Sequence, residues 1–129
     1  MRKRTILMVD SSEMMRSAAR QMLRTRYPDV KILEADAQET AFDIVKKHRP
    51  GLVITDVRLR SGNGLDLTEK IVRHFPDHVV VVFTSDDTPE YEAAALKRGA
   101  SFFVSKTETS DPRLWRVVQT VLEPSSHGS

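Results

Sequence analysis

Five short apolar runs, separated by segments with helical spacing, constrain this chain more than any other feature of its sequence. The runs cover residues 6–9, 30–33, 52–54, 79–83 and 102–104. They are rich in β-branched residues and do not alternate with polar ones, which is typical of strands buried on both faces. We therefore predict an α/β fold in which a five-stranded parallel sheet carries helices on both faces.

The segments between the runs also carry signals that predict where helices begin and end. Asp36, with Glu39 three residues later, forms a predicted capping box at the start of the second helix. Thr88 followed by Pro89 predicts the start of the fourth helix, and Gly99 predicts its end. The remaining predicted boundaries lie at prolines. The first helix is predicted to end at Tyr27-Pro28, the third to end at Phe75-Pro76, and the fifth to begin at Asp111-Pro112.

Length and composition limit the classes of protein to which the chain can belong. Its 129 residues fit one domain, which we place over residues 1–122, with 123–129 read as a linker stub or tail remnant. The absence of cysteine excludes disulfides and thiolate metal sites. No apolar run approaches the ~20 residues needed to cross a bilayer, and the apolar run near the start is too short for a signal peptide. We expect a cytoplasmic protein.

Charge gives little support for nucleic-acid binding. The net charge is +2, and basic residues occur in pairs and triplets without one long block. This pattern favours solvated helix faces over a nucleic-acid surface. We expect neither a membrane nor direct nucleic acid as a partner of this domain.

Polar residues follow four of the five apolar runs and form a chemically coherent set. Asp10 follows the first run, Asp56 the third, Thr84 the fourth and Lys106 the fifth. Ligands of open α/β sheets bind outside the carboxyl ends of the strands, so these side chains are expected to converge. A carboxylate can accept a phosphoryl group, Mg²⁺ can offset the charge, and a hydroxyl and an ammonium can hold phosphoryl oxygens. The set therefore predicts acyl-phosphate chemistry.

The chain from Arg4 to about Leu122 resembles the receiver domain of bacterial two-component response regulators. The resemblance rests on six motifs and their spacing: Val9-Asp10, Thr55-Asp56, Gly64-Leu65, Thr84-Ser85, Gly99-Ala100 and Lys106. It implies a flavodoxin-like (βα)5 fold with strand order 2-1-3-4-5, so that Asp10 and Asp56 meet. By the same resemblance Asp56 is the phosphoacceptor, Thr84 the switch hydroxyl and Lys106 the partner of the phosphoryl group.

The resemblance also implies a cofactor and partners. Asp10, Asp56 and the backbone carbonyl of Arg58 align with Mg²⁺ ligands, and Phe103 aligns with the aromatic residue whose rotamer reports activation. The phosphoryl donor would be a sensor histidine kinase or a phosphotransfer protein. Such a domain is not an enzyme beyond assisting its own phosphotransfer and dephosphorylation. An output domain outside this chain and a homodimer through the fourth helix, fifth strand and fifth helix are further implied partners.

The sequence departs from the family pattern near the predicted site. Ser11 stands where the family usually has a second acid, which we expect to weaken Mg²⁺ binding about ten- to a hundredfold. Thr107 replaces the common proline after Lys106, so the usual cis peptide bond is not expected. Arg58 and Arg60 follow Asp56. They either point to solvent or let a guanidinium share in neutralising the phosphoryl charge.

Several interpretations of the site remain open. Retention of Asp56, Thr84 and Lys106 favours a phosphorylation-dependent switch over a degenerate receiver that acts as a phosphorylation-independent protein-interaction module. A small hydrolase fits less well, because an aspartate-nucleophile phosphatase would have Asp-x-Asp where this chain has Asp56-Val57-Arg58. A flavin carrier fits less well, because residues 11–13 place an acid where a bound phosphate would lie. Asp86 and Asp87, in the loop after the fourth run, either supply a replacement acid or, as we favour, lead as polar turn residues into the next helix.

Overall fold

The predicted strands and helices are all present in the computed structural model, which describes residues 2–106 and 112–123. The strands are β1 (Arg2–Val9), β2 (Lys31–Ala35), β3 (Pro50–Thr55), β4 (Val79–Thr84) and β5 (Phe102–Ser105). The helices are α1 (Glu13–Arg26), α2 (Gln38–His48), α3 (Gly64–His74), α4 (Pro89–Lys97) and α5 (Pro112–Leu122).

The sheet has the order β2-β1-β3-β4-β5, and its paired strands are all parallel, as predicted. In the register of the sheet, Val9 at the end of β1 lies beside Ala35 of β2 and Thr55 of β3. The carboxyl ends of these three strands are therefore level. Residues that directly follow β1 and β3 are consequently neighbours in space.

Two apolar cores lie on opposite faces of the sheet. Ile6 and Met8 of β1 pack in the core that α1 and α5 cover, whereas Leu7 and Val9 pack in the core that α2 and α3 cover. Residues of β3 are buried throughout, as expected of a central strand. The prediction of helices on both faces is thus confirmed. Within residues 2–106 and 112–123, no helix is long and apolar enough to cross a membrane.

Most predicted helix boundaries are confirmed. Thr88 caps α4, its hydroxyl accepting a hydrogen bond from the amide of Tyr91, with Pro89 at the first helical position. Gly99 follows this helix with a φ of 107°, a left-handed conformation that favours glycine. Asp111, the predicted start of the fifth helix, lies outside the described residues.

The predicted capping box at Asp36 is wrong. The residue before α2 is Ala37, and no side chain caps this helix. The Asp36 carboxylate instead accepts a hydrogen bond from Nε of Arg60, at 2.9 Å. The amide of Gln38, at the start of α2, donates to the carbonyl of Ser61. The loop after β3 therefore provides the contacts that a capping box would otherwise provide.

Candidate functional site

Backbone pairing at the carboxyl edge of the sheet fixes the positions of Asp10 and Asp56. The amide of Asp10 donates to the carbonyl of Ala35, at 3.0 Å, and the amide of Asp56 donates to the carbonyl of Val9, at 2.9 Å. These bonds extend the pairing of β1 with β2 and of β3 with β1 by one residue. Both aspartates are therefore held by the sheet itself, which limits their freedom to move apart.

One oxygen of each carboxylate is held by a nearby amide. Oδ1 of Asp10 accepts from the amide of Ser12, at 2.9 Å, and Oδ1 of Asp56 accepts from the amide of Val57, at 2.7 Å. Ser12 also caps α1, because its hydroxyl accepts from the amide of Met15. Helix start and carboxylate orientation are thereby set together.

The second oxygens of both carboxylates meet the same ammonium group. Nζ of Lys106 donates to Oδ2 of Asp10, at 2.5 Å, and to Oδ2 of Asp56, at 2.8 Å. The side chain of Asp10 is 4% exposed, and that of Asp56 is 12% exposed. The structure thus brings together three side chains that are far apart in sequence, and it leaves Asp56 the more accessible of the two acids.

The electrostatics of Lys106 follow from this geometry. Burial acts to lower its pKa, but the hydrogen bonds to Asp10 and Asp56 and their negative charges outweigh burial and raise the pKa above its ordinary value. Lys106 is therefore a permanent cation at neutral pH. Both carboxylates therefore contact the same positively charged ammonium group.

Gly64 allows the loop after Asp56 to close against the strand end. A Cβ at this position would lie 1.9 Å from the carbonyl oxygen of Asp56 and 3.0 Å from Oγ1 of Thr55. The amide of Gly64 donates to the carbonyl of Val57, at 2.8 Å. Because a side chain would push this backbone away, glycine here keeps the loop after Asp56 tightly folded.

Thr84 and Phe103, the predicted switch residues, occupy different environments. Thr84 is fully buried, and its Oγ1 accepts from the amide of Asp86, at 3.1 Å. Its carbonyl accepts from the amide of Lys106, at 2.9 Å. Phe103 is partly buried and packs in a small apolar cluster with Val57, Val82, Ala95 and Ala100. Thr84 therefore adjoins the backbone of Lys106, and Phe103 contacts the cluster that includes the residue after Asp56.

Arg58 and Arg60 are exposed, but each is paired with an acid. Nε of Arg58 lies 2.7 Å from Oδ2 of Asp86, and Nε of Arg60 lies 2.9 Å from Oδ2 of Asp36. The interpretation of Asp86 as a simple turn residue is incomplete, because its carboxylate binds a cation from the neighbouring loop. Asp87, in turn, accepts a hydrogen bond from the hydroxyl of Ser105. Neither acid joins the pair formed by Asp10 and Asp56.

Arg16 is a site-forming residue that the sequence reasoning missed. Its Nη1 donates to the carbonyl of Asp10, at 2.6 Å, while its Nε donates to Oε1 of Glu34, at 3.1 Å. Arg20 also pairs with Glu34. Arg16 therefore ties the turn after β1 to the end of β2. The available signal was its position one turn after the Ser12 cap, on the side of α1 that faces the sheet edge.

The residues at this edge fit a magnesium ion, but their side chains provide few of its ligands. Two carboxylates that converge on one cation are oxygen donors of the kind that Mg²⁺ prefers, with waters completing its shell. The backbone carbonyl of Arg58 stays a predicted ligand. Ser11 is exposed and carries no charge. Among the described residues, no group of three or more His, Asp or Glu side chains is arranged to hold a metal.

The model of the response regulator receiver domain family matches residues 6–119. The chain is 25% identical over 106 residues to the transcriptional regulatory protein DegU of Brevibacillus brevis, covering 82% of this chain and 45% of that protein. It is 34% identical over 111 residues to a protein-glutamate methylesterase/protein-glutamine glutaminase of Yersinia pestis, covering 84% of this chain and 31% of that protein. The chain thus spans less than half the length of these relatives.

Structural similarity agrees with the sequence matches. The beryllofluoride-activated receiver domain dimer of NtrC4, a solution structure, superposes with a TM-score of 0.82 at 24% identity, covering 93% of this chain and 97% of that one. At this level of identity the likeness concerns the fold.

Proposed function

This chain belongs to the response regulator receiver domain family, and we propose that it is a phosphorylation-dependent signalling switch with Asp56 as phosphoacceptor. The observation that carries the proposal is the contact of one ammonium, that of Lys106, with both Asp10 and Asp56. An isolated structural ion pair needs only one carboxylate. Two acids around one lysine form a polarised cluster suited to a ligand that brings its own charge.

The chemistry is a transfer of a phosphoryl group from a phosphohistidine to Asp56. A bond forms between a carboxylate oxygen of Asp56 and phosphorus, while the bond from phosphorus to the histidine nitrogen breaks. The imidazole leaves with the electron pair. Catalysis of such a transfer consists largely of positioning and charge stabilisation. Here the amide of Val57 orients the attacking carboxylate, and Lys106 supplies a cation for the phosphoryl oxygens.

Magnesium is the cofactor we assign to this site. Asp10, Asp56 and the carbonyl of Arg58 would hold the ion, which supplies neutralisation of the charge shared by acceptor and phosphoryl group. Because Ser11 contributes no carboxylate, we propose that the ion binds weakly. The neighbouring cations of this chain then carry a larger share of the neutralisation.

Thr84 and Phe103 are the residues we assign to the switch. A phosphoryl group on Asp56 offers new oxygen acceptors. The Thr84 hydroxyl, which accepts from the amide of Asp86, would move toward Asp56 and donate its proton to one of them. Phe103 has no polar atom on its side chain, so its part would be a change of packing. The result is a shift between two arrangements of the neighbouring helix and strand.

Partners follow from the family and from exposed apolar residues. We propose that a sensor histidine kinase or a phosphotransfer protein in the cytoplasm donates the phosphoryl group. Leu96 of α4 and Phe102 of β5 are exposed large apolar residues, which supports a homodimer through the face formed by α4, β5 and α5. We propose that residues 1–122 form the receiver domain, that residues after it link it to an output domain, and that it binds no nucleic acid itself.

The test is chemical phosphorylation of the folded protein. Incubation with acetyl phosphate and millimolar Mg²⁺ is expected to add one phosphoryl group, read as a mass increase. Hydroxylamine should remove this group, because acyl phosphates are sensitive to it whereas serine phosphates are not. Circular dichroism on the same sample verifies the fold.

A degenerate receiver is the second candidate, and the exposed, uncharged Ser11 is the observation that favours it. In that case the domain would bind partners without being phosphorylated. A folded protein that gains no phosphoryl group at any Mg²⁺ concentration would support this candidate and overturn the first. The contact of Lys106 with Asp56, and the hydrogen bond from the amide of Lys106 to the carbonyl of Thr84, support the first.

Ser11→Asp is expected to tighten Mg²⁺ binding by roughly ten- to a hundredfold, because it returns a carboxylate to the position next to Asp10. Part of the gross attraction is offset by desolvation of the new charge. Calorimetric titration of Mg²⁺ measures the change. Labelling by acetyl phosphate should also reach its half-maximal rate at a lower Mg²⁺ concentration.

Ser61→Asp is the matched control for that experiment. It adds the same charge on an exposed serine in the loop that follows Asp56. We expect its Mg²⁺ affinity to match that of the wild type. Equal affinities in Ser11→Asp and in the wild type would contradict our account of why the ion binds weakly.

A further inference from the structure

The loop after β3 and the loop after β4 are joined by a forked ion pair close to the phosphoacceptor. Nε of Arg58 lies 2.7 Å from Oδ2 of Asp86, and Nη2 lies 3.3 Å from Oδ1. Arg58 is two residues after Asp56, and Asp86 is two residues after Thr84. Because β3 and β4 are neighbours, the pair lies between the ends of the strands that carry the phosphoacceptor and the switch hydroxyl.

Asp86 connects this arginine to Thr84. While its carboxylate binds Arg58, its backbone amide donates to Oγ1 of Thr84. In the unphosphorylated protein, one residue therefore holds the guanidinium and occupies a lone pair of the switch hydroxyl. A movement of Thr84 toward a phosphoryl group on Asp56 would break the hydrogen bond to Asp86.

The charges near Arg58 allow it to change partners. Its pKa is raised, mainly by the hydrogen bond and charge of Asp86, with a smaller contribution from the charge of Asp56. The Arg58 side chain is 76% exposed, so its pair with Asp86 is a surface ion pair that is easily broken. Phosphorylation would convert the single negative charge of Asp56 into the two charges of an acyl phosphate, so the modified side chain would carry more charge than Asp86, and the fork of a guanidinium matches phosphate oxygens.

We propose that Arg58 is a phosphoryl-binding residue which Asp86 holds away from Asp56 until phosphorylation. This inference rests on the function proposed above and adds a residue and a restraint to it. On phosphorylation the guanidinium leaves Asp86 for the phosphoryl oxygens. No proton or covalent bond changes in this step, since one ion pair is exchanged for another. Asp86 is released, and the loop before α4 is freed together with Thr84.

The movement of Arg58 from Asp86 to the phosphoryl group matters more in this chain than it would if an acid stood at the position of Ser11. Ser11 leaves the metal with fewer charged ligands, so less of the phosphoryl charge is neutralised by Mg²⁺. Arg58 and Lys106 then approach the phosphoryl group from different strand ends, one from the loop after β3 and one from the end of β5. Arg58 thus compensates for the weak metal site.

The experiment measures the affinity of the protein for beryllofluoride, a stable phosphoryl mimic, by ¹⁹F NMR titration at fixed Mg²⁺. Arg58→Gln is expected to bind it about tenfold more weakly, the scale of one charge-assisted contact. Asp86→Asn keeps the hydrogen bond from its backbone amide to Thr84 but loses the charge. It is expected to bind about threefold more tightly because it no longer competes for Arg58. Both substitutions leave the Arg58 carbonyl in place.

Two further variants make the test specific. In the double variant Arg58→Gln, Asp86→Asn, loss of the acid should have no additional effect, because the arginine it restrains is gone. Arg60→Gln is the matched control, since this exposed arginine lies in the same loop as Arg58 but pairs with Asp36. It should bind as the wild type does.

The outcomes separate the two proposals. Wild type that neither binds beryllofluoride nor accepts a phosphoryl group from acetyl phosphate would overturn the proposed function. Wild type that binds, with Arg58→Gln equal to it, would overturn the role of Arg58 alone. An effect of Asp86→Asn that persists without Arg58 would show that the acid acts by another route and would also overturn the exchange.

Discussion

Asp56→Asn is expected to lower labelling by acetyl phosphate by more than about a hundredfold, the scale on which loss of an essential nucleophile acts. The asparagine amide cannot serve as the attacking carboxylate. The variant should fold normally, because its side-chain oxygen can still accept from the amide of Val57 and one of two neighbouring negative charges is removed. Intact mass after incubation at saturating Mg²⁺ measures the labelled fraction.

Asp10→Asn and Asp36→Asn are the controls that assign the acceptor. Asp10→Asn keeps Asp56 and should still be labelled, though more slowly, because a metal ligand is weakened. Asp36→Asn changes an exposed acid that pairs with Arg60 and should be labelled as the wild type is. Undiminished labelling of Asp56→Asn would contradict the assignment. Loss of labelling in Asp10→Asn alone would reverse the roles of the two acids.

The fold could be predicted from the sequence because its signals are local. Apolar runs without polar alternation indicated buried strands, and Thr88 with Pro89 indicated a helix start. These patterns depend on residues within one turn or one strand. The strand order needed the family resemblance, since the apolar runs alone do not specify which strands are neighbours.

Side-chain partners across the sheet edge could not be predicted in the same way. The sequence Asp36-x-x-Glu39 satisfies the rule for a capping box, yet Asp36 binds Arg60, which is 24 residues away along the chain. Asp86 binds Arg58 for the same reason: a loop from an adjacent strand end lies closer than the local backbone groups. Local rules apply only where no charged group from another loop competes.

The predicted strand topology placed the two acids and the lysine at one edge of the sheet, but it did not predict which of their atoms make contact. Parallel strands bring Asp10, Asp56 and Lys106 to one edge, as the strand-end argument expected. That a single ammonium contacts both carboxylates depends on the length and direction of the Lys106 side chain. The same holds for Arg16: its position one turn after the Ser12 cap places it near the sheet edge, but does not show that its guanidinium contacts the carbonyl of Asp10.

Lys106→Met is expected to lower the free energy of unfolding by about 3 kcal/mol at pH 7.5, because it leaves two largely buried carboxylates facing each other without a cation. Methionine retains most of the volume of the lysine stem, so the loss reports charge more than packing. Chemical denaturation at pH 7.5 measures it. Lys31→Met, at an exposed lysine outside the site, should differ little from wild type.

The difference in the free energy of unfolding between wild type and Lys106→Met depends on pH through the charge of Lys106. The pKa of Lys106 is raised in the folded protein, so the stability it contributes is fully present below the ordinary value of 10.5 and is lost only as pH rises through the higher folded value. The double variant Lys106→Met, Asp10→Asn should recover most of the loss at pH 7.5, because one carboxylate then stands alone. Equal stability of Lys106→Met and wild type at pH 7.5 would mean that the acids do not need the ammonium, and the polarised cluster on which the proposed phosphotransfer depends would have to be abandoned.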